Sequence, residues 1–394
     1  MIRHFIVVYA VICAVVFLSF PPIAIWADTE AVKDQKTKKE QTFIEVTPIK
    51  YDLVYDFSEG LAVVCLNDKW GFVDETGNEV IPVKYDYAVS FSEGLAGVVL
   101  DGKAGYIDKT GKDIVPFGKY DDVWNFSEGL GIARIGGKCG YIDKTGEVII
   151  PIKYDQVGGF SEGYSTVYIN GKKAYINKTG KAITEFKYDI AYGFTDGMAA
   201  VIMNGKWGYI DTSGWDVIPP KYEYASIFSE GLAIASLNYK YGVIDKTGKV
   251  IVPFVYDNTS FYGFSEGLLP VMHDGKWGFI DRTGKEIIPF EYDSAGVFSE
   301  GAAGVVLDGK GSYIDKTGQE IITVNYDSFS GFSEGMAQVG LGEFINYRFT
   351  GKMGFIDKTG KEIVPCKYDE VRNFNGGLAA VWLDGKCGFI KLIN

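Results

Sequence analysis

The side chains that most often perform catalysis are few in this chain of 394 residues, and they lie far apart. Of the two histidines, His4 lies near the start and His273 lies beside an Asp-Gly pair typical of a tight turn. The sequence holds no HExxH or CxxC motif, and no Ser-His-Asp or Cys-His set can be assembled from it. We therefore predict that the protein is not an enzyme.

The carboxylates that would suit a metal belong mainly to a recurring turn of the Asp-Lys-Thr-Gly type. In such a turn the aspartate accepts hydrogen bonds from backbone N–H groups further along the chain, and glycine takes the left-handed conformation. A calcium site needs several oxygen ligands on one loop, whereas this turn offers one carboxylate followed by a basic residue. The sequence thus predicts no metal and no cofactor. The turn aspartates include Asp108, Asp143, Asp245, Asp281, Asp315 and Asp357.

These turns belong to a segment that recurs about every 34 residues from residue 43 to the end. One copy is FSEGLAGVVLDGKAGYIDKTGKDIVPFGKYDD, residues 91–122. Self-similarity with a fixed period of this length indicates a repeat architecture. The phenylalanine that opens each copy is Phe57, Phe91, Phe126, Phe160, Phe194, Phe228, Phe264, Phe298, Phe332 or Phe374.

Each copy predicts a three-stranded antiparallel meander. In the copy quoted above, the strands are residues 95–100, 103–108 and 114–120. Asp101-Gly102 forms the first hairpin turn and Asp108 to Gly111 the second. A longer corner of the form YDxxxxFSEG joins one meander to the next. Because Tyr, Phe and the final Gly recur in every corner, we expect the two rings to be buried, and we expect the drifting Ser and Glu side chains to be exposed.

The fold class predicted is all-β, built from tandem repeats of about 34 residues. We favour an open β-solenoid or superhelix, because the period is nearly constant. The alternative is a closed, β-propeller-like ring of about ten three-stranded blades. In the closed form a lone third strand, residues 43–51, would complete a blade with a lone strand pair, residues 378–390. The distance between Phe43 and Ile390 distinguishes the two forms.

Two segments, NGKWGYIDTSG at 204–214 and DGKWGFIDRTGKEIIPFEYD at 274–293, resemble the WG repeats, also called KWG repeats, of bacteria. The resemblance covers the chain from about residue 43 onward. It implies an array of variable repeat number, with no assigned chemistry and a role in interactions, and the variable number also favours the open form. The chain departs from the family at the tryptophan position, which also holds Ala104, Cys139, Lys173, Tyr241, Gly311, Met353 and Cys387. A position that accepts Trp, Gly and Lys is predicted to lie at the surface or rim.

Residues 1–27 predict a signal peptide, with an amino-terminal membrane anchor as the alternative. Residues 28–42 form a polar linker and residues 43–394 the repeat array, so an extracytoplasmic, secreted or cell-surface location is expected. The net charge of −12 argues against nucleic acid and anionic membranes as partners. The four cysteines of the array are expected to be free thiols.

The functional hypothesis is a non-catalytic scaffold for protein–protein interaction, and the alternative is a cell-wall or glycan-binding module. The ninth repeat carries an insertion at 341–352 whose aromatic and arginine content is typical of binding hot spots. An elongated hairpin packing on its neighbour is the other interpretation of this insertion. The candidate binding residues are Trp70, Trp207, Tyr241, Trp277, Phe344, Tyr347, Arg348 and Phe349.

Overall fold

The computed structural model describes residues 43–346 and 348–393, and within them the chain forms 41 β-strands and no helix. The strands form ten antiparallel sheets, or blades, and one extra two-stranded hairpin. The all-β repeat prediction is therefore confirmed. The predicted signal peptide and linker, and Tyr347 of the insertion, lie outside the described residues.

Nine blades have four strands and blade 4 has three. First strands are Leu53–Val54, Tyr87–Ala88, Asp122–Ser127, Gln156–Val157, Ile190–Ala191, Tyr224–Ala225, Asn258–Thr259, Ser294–Ala295, Ser328–Ser333 and Glu370–Val371. Second strands are Leu61–Leu66, Leu95–Leu100, Leu130–Ile135, Tyr164–Ile169, Met198–Met203, Leu232–Leu237, Leu268–His273, Ala303–Leu307, Met336–Leu341 and Leu378–Leu383.

Third strands are Lys69–Asp74, Lys103–Asp108, Lys138–Ile142, Lys172–Asn177, Lys206–Asp211, Lys240–Asp245, Lys276–Asp281, Lys310–Ile314, Lys352–Asp357 and Lys386–Leu392. Fourth strands are Glu79–Tyr85, Asp113–Tyr120, Val148–Tyr154, Ile218–Tyr222, Val250–Tyr256, Glu286–Tyr292, Glu320–Val324, Glu362–Tyr368 and, for blade 10, Phe43–Glu45. The extra hairpin pairs Phe344–Ile345 with Arg348–Phe349.

The sequence predicts three strands per repeat, and the fourth comes from the corner. The residues after the conserved Tyr-Asp pair form a short first strand, as when Tyr87 and Ala88 pair with Val99 and Val98. In most blades this strand has only two residues, so it leaves no alternating pattern in the sequence. In blade 4 no fourth strand forms, and only isolated bridges join Lys173 to Tyr188 and Ile176 to Ala182. Between these bridges the Tyr175 N–H donates to the Thr184 hydroxyl at 3.0 Å.

The first and last segments of the array pair directly, so the ring is closed. Phe43 lies opposite Leu392 and Glu45 opposite Ile390 in one antiparallel ladder. The open array favoured from the sequence is therefore wrong, and the closed ring of ten blades is confirmed. The seam reproduces the interface between any two neighbouring repeats, since Lys386 pairs with Asp52 as Lys69 pairs with Asp86. A variable copy number does not prevent closure when the last interface is equivalent to all the others.

Neighbouring blades pack face to face through apolar side chains. Between blades 1 and 2, Phe72 and Tyr85 join Phe91 and Val98 in one buried cluster. The rings of Phe72 and Phe91 have centroids 4.8 Å apart. Eight of the ten corner phenylalanines are buried, while Phe57 and Phe264 are half-buried. The prediction that the corner rings form the core is confirmed for these eight.

The Ser and Glu of the FSEG corner connect blades, contrary to the expectation that they are merely exposed. The Ser58 hydroxyl donates to the Phe91 carbonyl at 2.7 Å, and the Glu59 carboxylate accepts from the Gly94 N–H at 3.0 Å. Lys109 forms an ion pair with the same carboxylate at 3.2 Å. Glu59 itself has φ 54°, a conformation that a non-glycine residue rarely adopts. These contacts with the next blade stabilise that turn, which sequence comparison alone does not reveal.

Every blade has two ends, and the ring therefore has two faces. The turn between second and third strands and the Tyr-Asp corner lie at one end, which we call the hairpin face. The FSEG corner and the turn between third and fourth strands lie at the other, which we call the corner face. Phe43 begins a fourth strand and Leu392 ends a third strand, so both lie toward the corner face. The hairpin face is free of both ends of the described chain.

Candidate interaction face

The predicted aromatic position is the second residue of each third strand, at its hairpin-face end. Trp70, Trp207, Tyr241 and Trp277 are all half-buried there. Trp70 and Trp207 also pack on the core between blades. The position is thus a rim position, as expected, in which the outer part of the ring remains accessible.

Five rings form an unbroken series of contacts across blades 5, 6 and 7, which we call the long belt. Trp207, Tyr224 and Tyr241 lie at the hairpin-face ends of their strands, and Tyr192 and Phe261 follow the first strands of blades 5 and 7. Tyr192 stacks on Trp207 with centroids 5.2 Å apart and planes 14° apart. Trp207 contacts Tyr224 at 5.5 Å, Tyr224 contacts Tyr241 at 6.2 Å, and Phe261 contacts Tyr224 at 5.0 Å and Tyr241 at 6.0 Å. Burial raises the pKa of Tyr224 to about 12, so its hydroxyl stays neutral. The belt joins residues from three repeats into one apolar surface.

The long belt is accessible from solvent at both ends. Tyr192 is 38% exposed and Phe261 is 50% exposed. Tyr239, at the tip of the blade 6 hairpin, is 85% exposed, and Tyr262 adds a further exposed ring in blade 7. Exposed aromatic rings grouped on one face are uncommon on a protein without a binding partner.

A shorter group, which we call the short belt, lies on blades 1 and 2. Trp70 contacts Tyr55 at 5.9 Å within its own blade and Tyr87 at 5.6 Å in the next blade. The fourth candidate from the sequence, Trp277, also packs on the core, between blades 7 and 8, but shares no ring contact with either belt within the described residues. The structure therefore brings Trp207 and Tyr241 together and leaves Trp70 and Trp277 apart from them.

The insertion of blade 9 forms its own hairpin on the hairpin face. Phe344 and Phe349 face each other with ring centroids 5.2 Å apart. The Phe349 ring lies over Gly340, where a Cβ would come within 2.6 Å of it. Arg348 is exposed and forms no salt bridge within the described residues. The two phenylalanines thus pack locally, while Arg348 remains accessible to a partner.

Lysine–aspartate pairs between blades neutralise much of the charge at the base of the hairpin face. Lys69 pairs with Asp86 of the next blade at 2.6 Å, and seven equivalent pairs, one of them with Glu223, occur at other interfaces between the described blades. The hydrogen bond from Lys69 lowers the pKa of the Asp86 carboxyl, and the Gly102 N–H lowers it further. These residues therefore have structural partners and leave the hairpin tips to determine the local charge.

The turn aspartates show the backbone hydrogen bonds that the sequence predicts. Asp108 accepts from the N–H of Thr110 at 2.9 Å and of Lys112 at 3.1 Å, and from the Thr110 hydroxyl at 2.6 Å. This last bond lowers the pKa of the Asp108 carboxyl most strongly among the groups that lower it. Asn177 fills the same role in blade 4, which shows that the turn does not depend on a charge.

Among the described residues, one group combines histidine with carboxylates closely enough to resemble a metal site. Ligand atoms of Asp257, His273 and Asp274 lie within 4.8 Å of one another. The Lys240 ammonium, however, pairs with Asp257, and the other oxygen of Asp257 accepts from the Asp274 N–H at 2.8 Å. A cation would have to displace that ammonium, so the group does not fit a metal ion.

The four cysteines of the array form no disulfide, as the sequence predicts. Cys65, Cys139 and Cys387 are buried and Cys366 is half-buried. Burial raises the pKa of Cys366 and of Cys387 to about 12, which disfavours the reactive thiolate. No helix of the described residues is long and apolar enough to cross a membrane.

The family described as WG containing repeat matches ten consecutive segments of this chain. The chain belongs to the WG repeat family. The matched segments are 45–70, 70–103, 105–139, 140–172, 174–207, 207–241, 241–277, 277–310, 312–343 and 353–387. Each begins or ends near the tryptophan position, and the blade 9 insertion falls largely between the last two. No curated protein matches the WG repeat chain significantly in sequence.

Solved structures with similar geometry have low sequence identity to this WG repeat protein. A eukaryotic initiation factor is 10% identical, with a TM-score of 0.49, over 86% of this chain and 90% of that one. The extracellular domain of a hybrid two-component system of B. thetaiotaomicron is 9% identical, with a TM-score of 0.27, over 86% of this chain and 61% of that one. PorZ, a surface component of the type-IX secretion system of Porphyromonas gingivalis, is 10% identical, with a TM-score of 0.25, over 88% and 52%. At these identities and TM-scores the likenesses carry no argument about function.

Sequence reasoning missed three members of the long belt, namely Tyr192, Tyr224 and Phe261. They lie in the variable part of the corner, where other copies hold small or polar residues such as Gly158 and Ser294. The sequence did contain a signal for this surface. Repeats 5 and 6 each combine an aromatic corner residue, Tyr192 or Tyr224, with an aromatic residue at the tryptophan position.

Proposed function

We propose that this WG repeat protein is a secreted or cell-surface, non-catalytic scaffold that binds protein partners through its hairpin face. The observation that carries the proposal is the long belt, a continuous aromatic surface across three blades. Trp and Tyr are enriched in the centres of protein interfaces, because they bury large apolar areas at little entropic cost. The extracytoplasmic location rests on the signal-like residues 1–27.

The placement of the chain ends supports the same face. Residue 43 enters the ring toward the corner face, so any segment that leads from a membrane or cell wall approaches that face. The hairpin face, with the long belt, the short belt and the insertion, then points away from the attachment point.

Glycan binding, the alternative function, is less well supported by the ring geometry. Sugar rings stack on a free aromatic face, but Tyr192 already covers one face of Trp207 in a nearly parallel stack. Tyr224 contacts the same indole at 5.5 Å. The surface therefore offers a continuous rim of rings rather than an open stacking platform.

The test is a selection of phage-displayed peptides on the purified protein, followed by affinity measurements on variants. Trp207→Ala and Tyr224→Ala should weaken binding of the selected peptide at least tenfold. The matched control is Trp215→Ala, because Trp215 is 72% exposed but lies in a corner-face turn between third and fourth strands. Equal losses for Trp207 and Trp215, or no loss for Trp207, would contradict the proposal. Sedimentation with insoluble peptidoglycan, abolished by Trp207→Ala, would favour the glycan alternative instead.

A further inference from the structure

The tips of the hairpin face divide the ring into two sectors of different charge. Closure of the ring places blade 10 beside blade 1, so blades 7 to 10 and then 1 and 2 are consecutive. Five of these six blades have an aspartate at the tip, and in blade 9 Glu343 lies at the base of the insertion hairpin. We call these six blades the acidic sector. Its acidic residues are Asp274, Asp308, Glu343, Asp384, Asp68 and Asp101. The remaining blades 3 to 6 have neutral tips at Gly136, Asn170, Asn204 and Asn238.

Turn geometry does not require this division. In blades 2, 7, 8 and 10 the tip aspartate has φ between 49° and 52°, and the asparagines of blades 4 and 5 have φ of 50° and 52°. Asn and Asp both tolerate this left-handed conformation in two-residue hairpins. The carboxylates therefore add charge without adding stability to the turn, in contrast to the aspartates that pair with lysine between blades.

The carboxylates of the acidic sector have no close ion-pair partner, although Asp101 and Asp308 attract the ammonium groups of Lys69 and Lys276 at longer range. All six residues are exposed, and none forms a salt bridge with lysine or arginine within the described residues. His273 lies 3.9 Å from Asp274, and no other ion pair involves the six. Their charges project from one arc of the ring and attract cations over roughly the Debye length, about 10 Å at 0.1 M salt.

The boundary between the sectors coincides with the end of the long belt. The belt begins at Tyr192 in blade 5, whose hairpin has the neutral tip Asn204, and ends at Phe261 in blade 7, whose hairpin has the tip Asp274. Aromatic rings beside carboxylates suit lysine and arginine, because a cation can contact both a ring face and a carboxylate. The long belt and the acidic sector thus meet in blade 7.

We infer that the partner bound at the hairpin face presents an apolar anchor followed by a cluster of lysine or arginine residues. The apolar part covers the long belt, and the basic part extends over the tips of blades 7 and 8. This inference rests on the proposed function and specifies the chemistry of the partner. It predicts that attraction between opposite charges sets both the orientation and the rate of docking.

The probes are three synthetic peptides that share one apolar, aromatic half and differ only in the other half, which carries lysine, glutamine or glutamate. The lysine peptide should bind the purified protein at least tenfold more tightly than the glutamate peptide at about 0.02 M salt, and this preference should shrink at about 0.5 M. Equal affinities, or no binding of the lysine peptide, would overturn the inference.

Two variants with the same loss of charge locate the effect. Asp274→Asn with Asp308→Asn keeps the hairpin turns of blades 7 and 8 and should weaken the lysine peptide at least fivefold. The control variant, Asp113→Asn with Glu286→Gln, removes two exposed carboxylates at the corner-face end and should change affinity less than twofold. Equal effects of the two variants would show a general charge effect and overturn the inference.

The failure of this inference can be told apart from failure of the proposed function. In one outcome, Trp207→Ala weakens binding of the glutamine peptide, while the tip variant binds the peptides as tightly as the unchanged protein. This outcome would support the proposed face and overturn only the basic character of the partner. In the other outcome, the tip variant weakens binding of the lysine peptide and Trp207→Ala does not. This outcome would overturn both the inference and the proposed function, because the acidic sector would then bind the peptide without the long belt.

Discussion

The structure assigns stability to the corner phenylalanines and accessibility to the tryptophan position, and one pair of substitutions tests this division. Phe298 is fully buried, and its ring lies 5.0 Å from that of Phe279. Trp277 packs on the same apolar cluster but is only half-buried. The two residues therefore offer a comparison within one interface between blades.

The expected magnitudes follow from the buried area. A buried aromatic side chain removes roughly 150–250 Å² from water, which at about 25 cal/mol per Å² corresponds to ~4–6 kcal/mol. Alanine keeps Cβ and the surroundings relax in part, so Phe298→Ala should lower the free energy of unfolding by about 3–5 kcal/mol. Trp277→Ala should lower it by ~1–2 kcal/mol, because the outer part of the indole already contacts water.

Urea denaturation followed by far-UV circular dichroism measures both values on the same protein. Phe298→Leu serves as a control for shape, and it should recover more than half of the loss seen with alanine. A loss for Trp277→Ala equal to or larger than that for Phe298→Ala would refute the burial assignment. The tryptophan position would then be a core position.

Three further predictions concern the insertion, the turns and the seam. Replacing residues 342–351 by Asp-Gly should shift the melting temperature by less than about 3 °C, because Leu341 and Lys352 would then flank the same turn as in blade 2. Loss of binding without loss of stability would assign the insertion to recognition. A large drop in the melting temperature would assign it to packing. Hydrogen bonds lower the folded-state pKa of Asp108 and of the other turn aspartates, so the stabilisation by these carboxylates is complete above the ordinary aspartate pKa and is lost as the pH falls through the lowered values. The melting temperature should therefore decline below about pH 4, and Asp108→Asn should make that decline shallower. A steeper decline in this variant would contradict the account. A chain that begins at residue 43 should melt at the same temperature as the full chain. A chain that begins at residue 47 lacks the fourth strand of blade 10 and should melt at a markedly lower temperature. Equal melting temperatures of the two shortened chains would contradict ring closure through this strand.

The repeat, its turns and its core rings could be predicted from the sequence, because each depends on local chemistry. Asp101-Gly102 needs only its own backbone conformation, and Phe298 recurs as an apolar residue at a fixed period. Closure could not be predicted, since an open array and a ring use the same interface between repeats. Only the pairing of Phe43 with Leu392, at the two ends of the array, separates the two forms.

The candidate surface was predicted only in part, for a related reason. Trp207 and Tyr241 stand out because they occupy a named position of the repeat. Tyr192, Tyr224 and Phe261 join them through contacts between positions that lie 15 or more residues apart in the chain, or in different blades. The role of Glu59 in linking blades was missed in the same way, because its partners Gly94 and Lys109 belong to the next repeat.

The most direct test of the hairpin face is hydroxyl-radical footprinting of the protein with and without the tightest peptide selected on it. The account predicts that the peptide protects Tyr239, at the tip of the blade 6 hairpin, and Phe261, in the long belt, from oxidation. It should leave Trp215, on the corner face, as reactive as before. Protection of Trp215 with unchanged oxidation of the other two rings would place binding on the opposite face and contradict the account.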